Sequence, residues 1–451
     1  MGLEVEIDAL AATGDGLATV RGARLSVPFT IPGERVRIAL TGGRARLLDV
    51  LRASPHRITP RCRHFGIDAS PGIGPCGGCT WQHIAYPEQL RLKTGLVDGL
   101  VRAVVPRAPA VEPTLAATPL DNPWGYRNKV HFVFGSHKSA LVMGHYVRGT
   151  RRVIPVVECP VHDERGNAFA FAARDTLATA GAQSVDALRS LAIRVGCRTR
   201  ELMAALIVSS DRDRSVRNAT RRLIADSPPT SMHLNVHTRD DAFIFGPATR
   251  HLHGSQRMRE EVAGASFLIS PAAFFQTNVL AAEMLVRLVL DAAAVAPSRG
   301  EGPKRVLDLY AGSGLFAIPL ALAGNEVAAV EESRLAVADG EAALKLNARA
   351  QGRCRFVARR VQTAISAFRD ADVVVLDPPR EGCAASVLRE VFGRLKPACA
   401  IYVSCNPETL AADLGVATRH GYRIRVLQPV DMFPHTAHIE TVAILATGYS
   451  T

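Results

Sequence analysis

The chain has 451 residues, 47% hydrophobic and 21% charged, which is length for two or three packed domains and excludes a disordered or fibrous protein. Lys and Arg outnumber Asp and Glu by 54 to 42, and this net charge of +12 points to a polyanionic partner, nucleic acid above all. No apolar run is long enough to span a membrane, and Met1-Gly2-Leu3-Glu4-Val5-Glu6 carries acids where a signal peptide needs basic residues, so a monomeric cytoplasmic protein without membrane contact is expected.

Residues 1–58 read as a small β-barrel. Apolar and polar residues alternate in Leu3–Ile7, Arg24–Val27 and Arg35–Leu40, with turn signals at Gly14-Asp15-Gly16, Ile31-Pro32-Gly33-Glu34 and Gly42-Gly43. Barrels of the OB type with basic residues on one face hold oligonucleotides, although a plain interaction barrel has the same pattern. Residues 59–264 read as a mixed α+β region. It opens with a Cys-, Gly- and Pro-rich stretch, continues into a helix over Tyr86–Val105, and includes strand-like Lys129–Phe134.

Residues 265–451 form the α/β part. From Lys304 onward apolar strands alternate with helices: Arg305–Leu309, Glu326–Val330, Arg355–Val357, Asp372–Leu376, Ile401–Val403 and Ile439–Ala446. Such alternation predicts a Rossmann-like parallel sheet with helices on both faces, and ligands then bind beyond the carboxyl ends of the strands.

Three motifs fall at those ends. Asp308-Leu309-Tyr310-Ala311-Gly312-Ser313-Gly314 leaves the first strand through a Gly-rich turn, and Glu331 ends the second, where an acid binds ribose hydroxyls. The dinucleotide pattern G-x-G-x-x-G is absent, so S-adenosylmethionine suits the turn better than NAD. Asp377-Pro378-Pro379-Arg380 follows another strand; enzymes that methylate exocyclic amines end this motif in an aromatic, and Arg380 argues against that chemistry.

Ser404-Cys405-Asn406-Pro407 places a cysteine between a strand and a helix, whose N-terminal dipole is expected to lower the thiol's pKa. Glu440 opens the apolar run Thr441–Leu445, where burial raises a carboxylate's pKa and makes it a usable base. His435 and His438, three apart on a loop, read as making local hydrogen bonds rather than binding metal. Together these groups suit methylation of uracil C5: a thiolate adds at C6, the resulting enolate takes a methyl from a sulfonium, and a base removes the C5 proton. The rivals are cytosine C5 methylation, whose usual motifs differ, and a non-catalytic iron–sulfur or RNA-binding protein, against which Cys405, Asp377 and Glu440 together speak.

Cys62, Cys76, Cys79 and Cys159 make a further set. Four thiolates with a single C-x2-C pair fit zinc or an iron–sulfur cluster equally, and the spacing alone leaves both open.

With SCNPETLAAD and VDMFPHTAHIE in place, the chain resembles the bacterial RNA (uracil-5-)-methyltransferases over nearly its whole length, in particular those acting on 23S ribosomal RNA with a TRAM barrel and a [4Fe-4S] cluster. The resemblance implies Cys405 as nucleophile and Glu440 as general base. It implies S-adenosylmethionine contacts from Gln276, Tyr310, Glu331 and Asp377, and cluster ligation by Cys62, Cys76, Cys79 and Cys159. It further implies 23S rRNA rather than tRNA as the substrate, and a helical stretch before about residue 113 that packs on the methyltransferase domain. Two departures from the family stand out. Cys62 lies unusually far from Cys76, across an insertion at 68–75 that reads as a loop, and Ala358-Arg359-Arg360-Val361 offers no clear adenine contact.

Overall fold

The computed structural model describes residues 2–66, 75–137, 140–179, 187–239 and 244–447, so most of the 68–75 insertion lies outside the described residues. At the N-terminus, six strands pair into two three-stranded antiparallel sheets. One contains Leu3–Glu6, Arg35–Thr41 and Arg44–Arg52, the other Ala9–Leu10, Gly16–Val20 and Ala23–Val27. The apolar members of the alternating pattern, including Val5, Ala18, Val27, Val36 and Ile38, face one core, which Cys62 and Phe65 close from the next segment.

A seven-stranded sheet follows, ordered Val153–Pro155, Ala140–Tyr146, Lys129–His137, Leu188–Val195, Leu202–Val208, Ser231–Val236 and Ala248–Gly254. Neighbours are antiparallel except Leu202–Val208 and Ser231–Val236, which run parallel because the helix Arg214–Asp226 carries the chain back between them. Asp213 caps that helix through a bond from Val216 N. Its apolar stripe and that of Glu164–Thr179 bury Val216, Leu223, Phe169 and Leu177 against Phe132 and Leu206 of the sheet.

The third sheet has eight strands in the order Cys354–Ala358, Glu326–Glu331, Arg305–Leu309, Val373–Leu376, Cys399–Ser404, Glu440–Thr447, Tyr422–Asp431 and Leu115–Ala116. Its two faces can be read residue by residue. Val306, Val373, Val375, Ile401 and Val403 join the cluster under helix Val279–Val295, while Leu307, Val374, Leu376, Ala400 and Tyr402 join the opposite one. That period of two, with both sets apolar, is the signature of a sheet buried on both sides. The expected Rossmann-like sheet, covered on both faces, is therefore present, with one correction. The sheet is mixed rather than parallel, because Glu440–Thr447 runs antiparallel to both Cys399–Ser404 and Tyr422–Asp431. The strand Tyr422–Asp431 escapes a search for apolar runs because its first half alternates with arginines and Pro429 interrupts it; only the two-residue strand Leu115–Ala116 lies beyond it.

The helix expected over Tyr86–Val105 spans Tyr86–Val104, with Pro87 in its first turn. It packs on the helix Pro407–Arg419, burying Val97 and Val101 in the same cluster as Leu410 and Leu414. Among the described residues no helix is long and apolar enough to cross a membrane.

Candidate active site

The strand order dictates what meets at the sheet's edge. Tyr310, Asp377 and Cys405 each follow the last residue of a parallel strand, and Glu331 is itself a last residue. Glu440 is the first residue of its strand, but that strand is antiparallel, and the register Ser404↔Thr441 returns Glu440 to the same edge beside Cys405. Gln276 arrives from the segment before helix Val279–Val295, whose cap is Asn278. One cleft of about 490 Å³ is lined by Gln276, Tyr310, Glu331, Asp377, Cys405 and Glu440.

Each group is held from its own strand. Glu331 accepts from Gly312 N (2.9 Å) and Ser333 N (2.7 Å), which clamps the Gly-rich turn and leaves lone pairs on both oxygens. Tyr310 sits at φ 65°, an uncommon conformation for an aromatic that its surroundings must hold. Asn406 caps the helix after Cys405 by accepting from Glu408 N, and its amide donates to the Arg380 carbonyl at 2.9 Å. The nucleophile candidate and the Asp377–Arg380 motif are thereby tied together.

Electrostatics in the cleft are acidic. Burial, then Glu331, pushes the Asp377 carboxyl up to about 7. Burial, then Asp377, pushes Asp308 and Glu440 well above the ordinary carboxylate range. A crevice of crowded carboxylates suits a cation, which S-adenosylmethionine is at its sulfonium, and repels a pyrophosphate. The raised Glu440 matches expectation. The Cys405 thiol does not: it is pushed up to about 11 rather than lowered. Burial is the largest cause and the Glu440 and Asp377 carboxylates add to it, outweighing Arg380 and a backbone hydrogen bond, which lower it.

The family profile described as tRNA (Uracil-5-)-methyltransferase matches residues 261–447, the stretch that builds this cleft. An uncharacterised RNA methyltransferase from Gloeobacter violaceus is 36% identical over 98% of this chain and 95% of its own length. Another, from Thermosynechococcus vestitus, is 35% identical over 99% and 98%. This chain belongs to the RNA (uracil-5-)-methyltransferase family. The crystal structure of Pyrococcus abyssi tRNA (uracil-54, C5)-methyltransferase in complex with S-adenosyl-L-homocysteine matches with a TM-score of 0.76 at 25% identity, covering 98% of this chain and 100% of that one. As a member of the family, the chain is a class I S-adenosylmethionine-dependent RNA methyltransferase.

In this methyltransferase the four cysteines of the second set also come together. Cys62, Cys76, Cys79 and Cys159 line one cavity of about 820 Å³, and each is an unbridged thiol. Burial first, and then the neighbouring thiols, push Cys79 up to about 12 and Cys159 well above the ordinary range. Two histidines that sequence reasoning missed stand at the same place. One ring nitrogen each of His145 and His162 lies within 4.8 Å of the Cys159 sulfur and of the other. His162 lies only three residues beyond Cys159, a spacing visible in the sequence, whereas His145 is brought in by the pairing of Ala140–Tyr146 with Val153–Pro155. His435 hydrogen-bonds not locally, as expected, but to distant partners, Gln89 and the Pro123 carbonyl, because the packed sheet edge brings those segments to its loop.

Proposed function

We propose that this chain, acting as a cytoplasmic monomer, methylates C5 of a uridine in RNA through a covalent bond between Cys405 and C6. The observation that carries the reading is the antiparallel register that sets Glu440 beside Cys405 at the mouth of an acidic crevice. The Cys405 thiolate adds to C6, and the C5=C6 electron pair moves into an enolate. C5 then takes the methyl carbon, and the donor sulfur leaves as a neutral thioether. Glu440 takes the C5 proton, C5=C6 re-forms, and the C6–S bond breaks to return the thiolate. Gln276, Tyr310, Glu331 and Asp377 hold the donor, with Glu331 free to accept from ribose hydroxyls.

The raised thiol gives this mechanism a testable sign. With Cys405 up at about 11, roughly one thiol in ten thousand is ionised at pH 7, and the thiolate fraction grows about tenfold per pH unit until that value is reached. Iodoacetamide labelling of Cys405 is therefore expected to accelerate from pH 7 to pH 10. The sulfonium charge opposes Glu440 and Asp377, so at equal occupancy labelling is faster with S-adenosylmethionine bound than with neutral S-adenosylhomocysteine. Flat labelling across that range would show the thiol to be activated already in the free enzyme.

We assign Cys62, Cys76, Cys79 and Cys159 to a [4Fe-4S] cluster. Soft thiolates gathered around one cavity support this, since cysteine quartets are the usual cluster donors. A bound cluster cross-links the segment around Cys62–Cys79 to Cys159, a structural role. Anaerobically purified protein is expected to be brown with about four irons and four sulfides per chain, and Cys79→Ala to be bleached. A colourless protein with one zinc would overturn the assignment.

We further read residues 1–58 as a TRAM barrel, 59–264 as the cluster and RNA-binding region and 265–451 as the catalytic domain, with 23S rRNA as substrate. The barrel and cysteine quartet support rRNA. The Pyrococcus abyssi enzyme favours a second reading, a tRNA uridine, because its likeness extends over the barrel as well. Mass mapping of both RNAs from cells with and without the gene separates them: a methyl lost from 23S rRNA supports the first, one lost from tRNA the second.

A further inference from the structure

Glu440 is delivered by a hairpin end, the eight residues 432–439 between the strands Tyr422–Asp431 and Glu440–Thr447. Four consecutive residues of this loop, Met432 to His435, are tied through backbone groups to other parts of the chain. The Met432 carbonyl accepts from Asn278 Nδ2 (3.1 Å), the Phe433 carbonyl from Lys93 Nζ (3.1 Å) and the Pro434 carbonyl from the Tyr126 hydroxyl (2.9 Å).

His435 is the centre. Its N–H donates to Gln89 Oε1 (2.8 Å), and its carbonyl accepts from both Thr80 N (3.0 Å) and Trp81 N (2.9 Å). Its backbone stands at φ 66°, a left-handed conformation that a non-glycine residue keeps only when its neighbours hold it. Its ring stacks on Trp124 with centroids 3.8 Å apart. Gln89, fully buried, completes the clamp by donating to the Trp81 and Ile84 carbonyls.

Thr80 and Trp81 directly follow Cys79, so the same dipeptide that leaves the cysteine cavity grips the base's loop. The barrel touches the junction too. Gly14 accepts from Trp81 Nε1 at 2.7 Å, and a Cβ on Gly14 would fall 2.2 Å from the Ala437 Cβ.

We propose that Gln89 and His435 are positioning residues for proton removal, and that through Thr80–Trp81 the cysteine site holds the base rather than the methyl donor. The inference rests on Glu440 being the base. Cys405 and the donor-site residues Tyr310, Glu331 and Asp377 hang from other supports: the strand Cys399–Ser404, the Asn406 cap, and the strands that end in the Gly-rich turn, at Glu331 and at Asp377; of the donor-site residues Gln276 stands nearest the loop, two residues before Asn278. Loosening the loop therefore leaves C6 addition and methyl transfer intact. What slows is transfer of the C5 proton to Glu440, with re-formation of C5=C6 and breakage of the C6–S bond.

The test uses the full-length enzyme, substrate RNA and methyl-labelled S-adenosylmethionine, quenched in denaturant and resolved by size. Gln89→Met is expected to turn over about tenfold more slowly and to accumulate a methyl-bearing protein–RNA adduct, with adduct formation and donor affinity within about twofold of wild type. Cys79→Ala should show the same accumulation. His435→Asn, which tolerates the left-handed backbone, should turn over faster than His435→Val, which does not, by about tenfold. A Gln89→Met enzyme that turns over at the wild-type rate, or that loses adduct formation in step with turnover, overturns the proposal. Glu440→Gln run alongside keeps the two readings apart. If it traps an adduct while Gln89→Met behaves as wild type, only the positioning role falls; if it forms none, the base assignment falls first.

Discussion

Cys405→Ala is expected to abolish methylation, by on the order of 10⁴-fold or more, because losing the nucleophile leaves only binding and orientation. It should form no denaturant-resistant complex with RNA. Glu440→Gln should differ in kind. The amide keeps the size of the buried side chain, C6 addition and methyl transfer proceed, and the C5 proton has nowhere to go. The adduct then persists and carries the methyl group. RNA with 5-fluorouridine at the target should trap the wild-type enzyme, since fluorine does not leave as a proton. The target base must leave its stack to reach the sheet edge. Methylation by Cys405→Ala, or normal turnover by Glu440→Gln, would show that the nucleophile or the base is another residue.

The parts of this site that were legible in the sequence are those set by local pattern. Five apolar runs gave the parallel strands to within two residues at either end, and in an α/β sheet the residues after such strands line the crevice. That rule puts Tyr310, Glu331, Asp377 and Cys405 at the crevice, while the choice of Tyr310 as a donor contact came from the family resemblance. What was not legible depends on distance in the chain. The rise of the Cys405 thiol comes from burial and from Glu440 and Asp377, whose approach needs the sheet to be assembled, whereas the helix terminus that argued the other way is adjacent in sequence. The central sheet was glimpsed in two strands only, Lys129–Phe134 and the run at Val153–Val157, because its pairing mixes antiparallel neighbours with one parallel crossover. Gln89 and His435 are 346 residues apart and leave no mark in either local motif.

The largest stability effect is expected at a pair equally hidden from the sequence. Lys93 Nζ and Asp431 Oδ1 lie 2.6 Å apart, and both side chains are fully buried. Lys93 also donates to the Phe433 carbonyl at 3.1 Å, and Asp431 accepts from Phe433 N at 3.1 Å. Burial lowers the lysine's pKa, and the aspartate is the main influence opposing it. Lys93→Met removes the cation and strands a buried carboxylate, a change that costs roughly 3–5 kcal/mol. Lys93→Met with Asp431→Leu removes both charges, so the double variant should recover most of that loss, since a buried pair gains little over apolar packing. Both tryptophans of the chain stand at this junction, Trp81 with its ring 5.9 Å from Lys93 Nζ and Trp124 stacked on His435. Tryptophan fluorescence in a urea titration therefore reports the local transition. A single variant that unfolds within about 1 kcal/mol of wild type would mean that water reaches the pair and screens it, and that the loop before Glu440 is held by its backbone bonds alone.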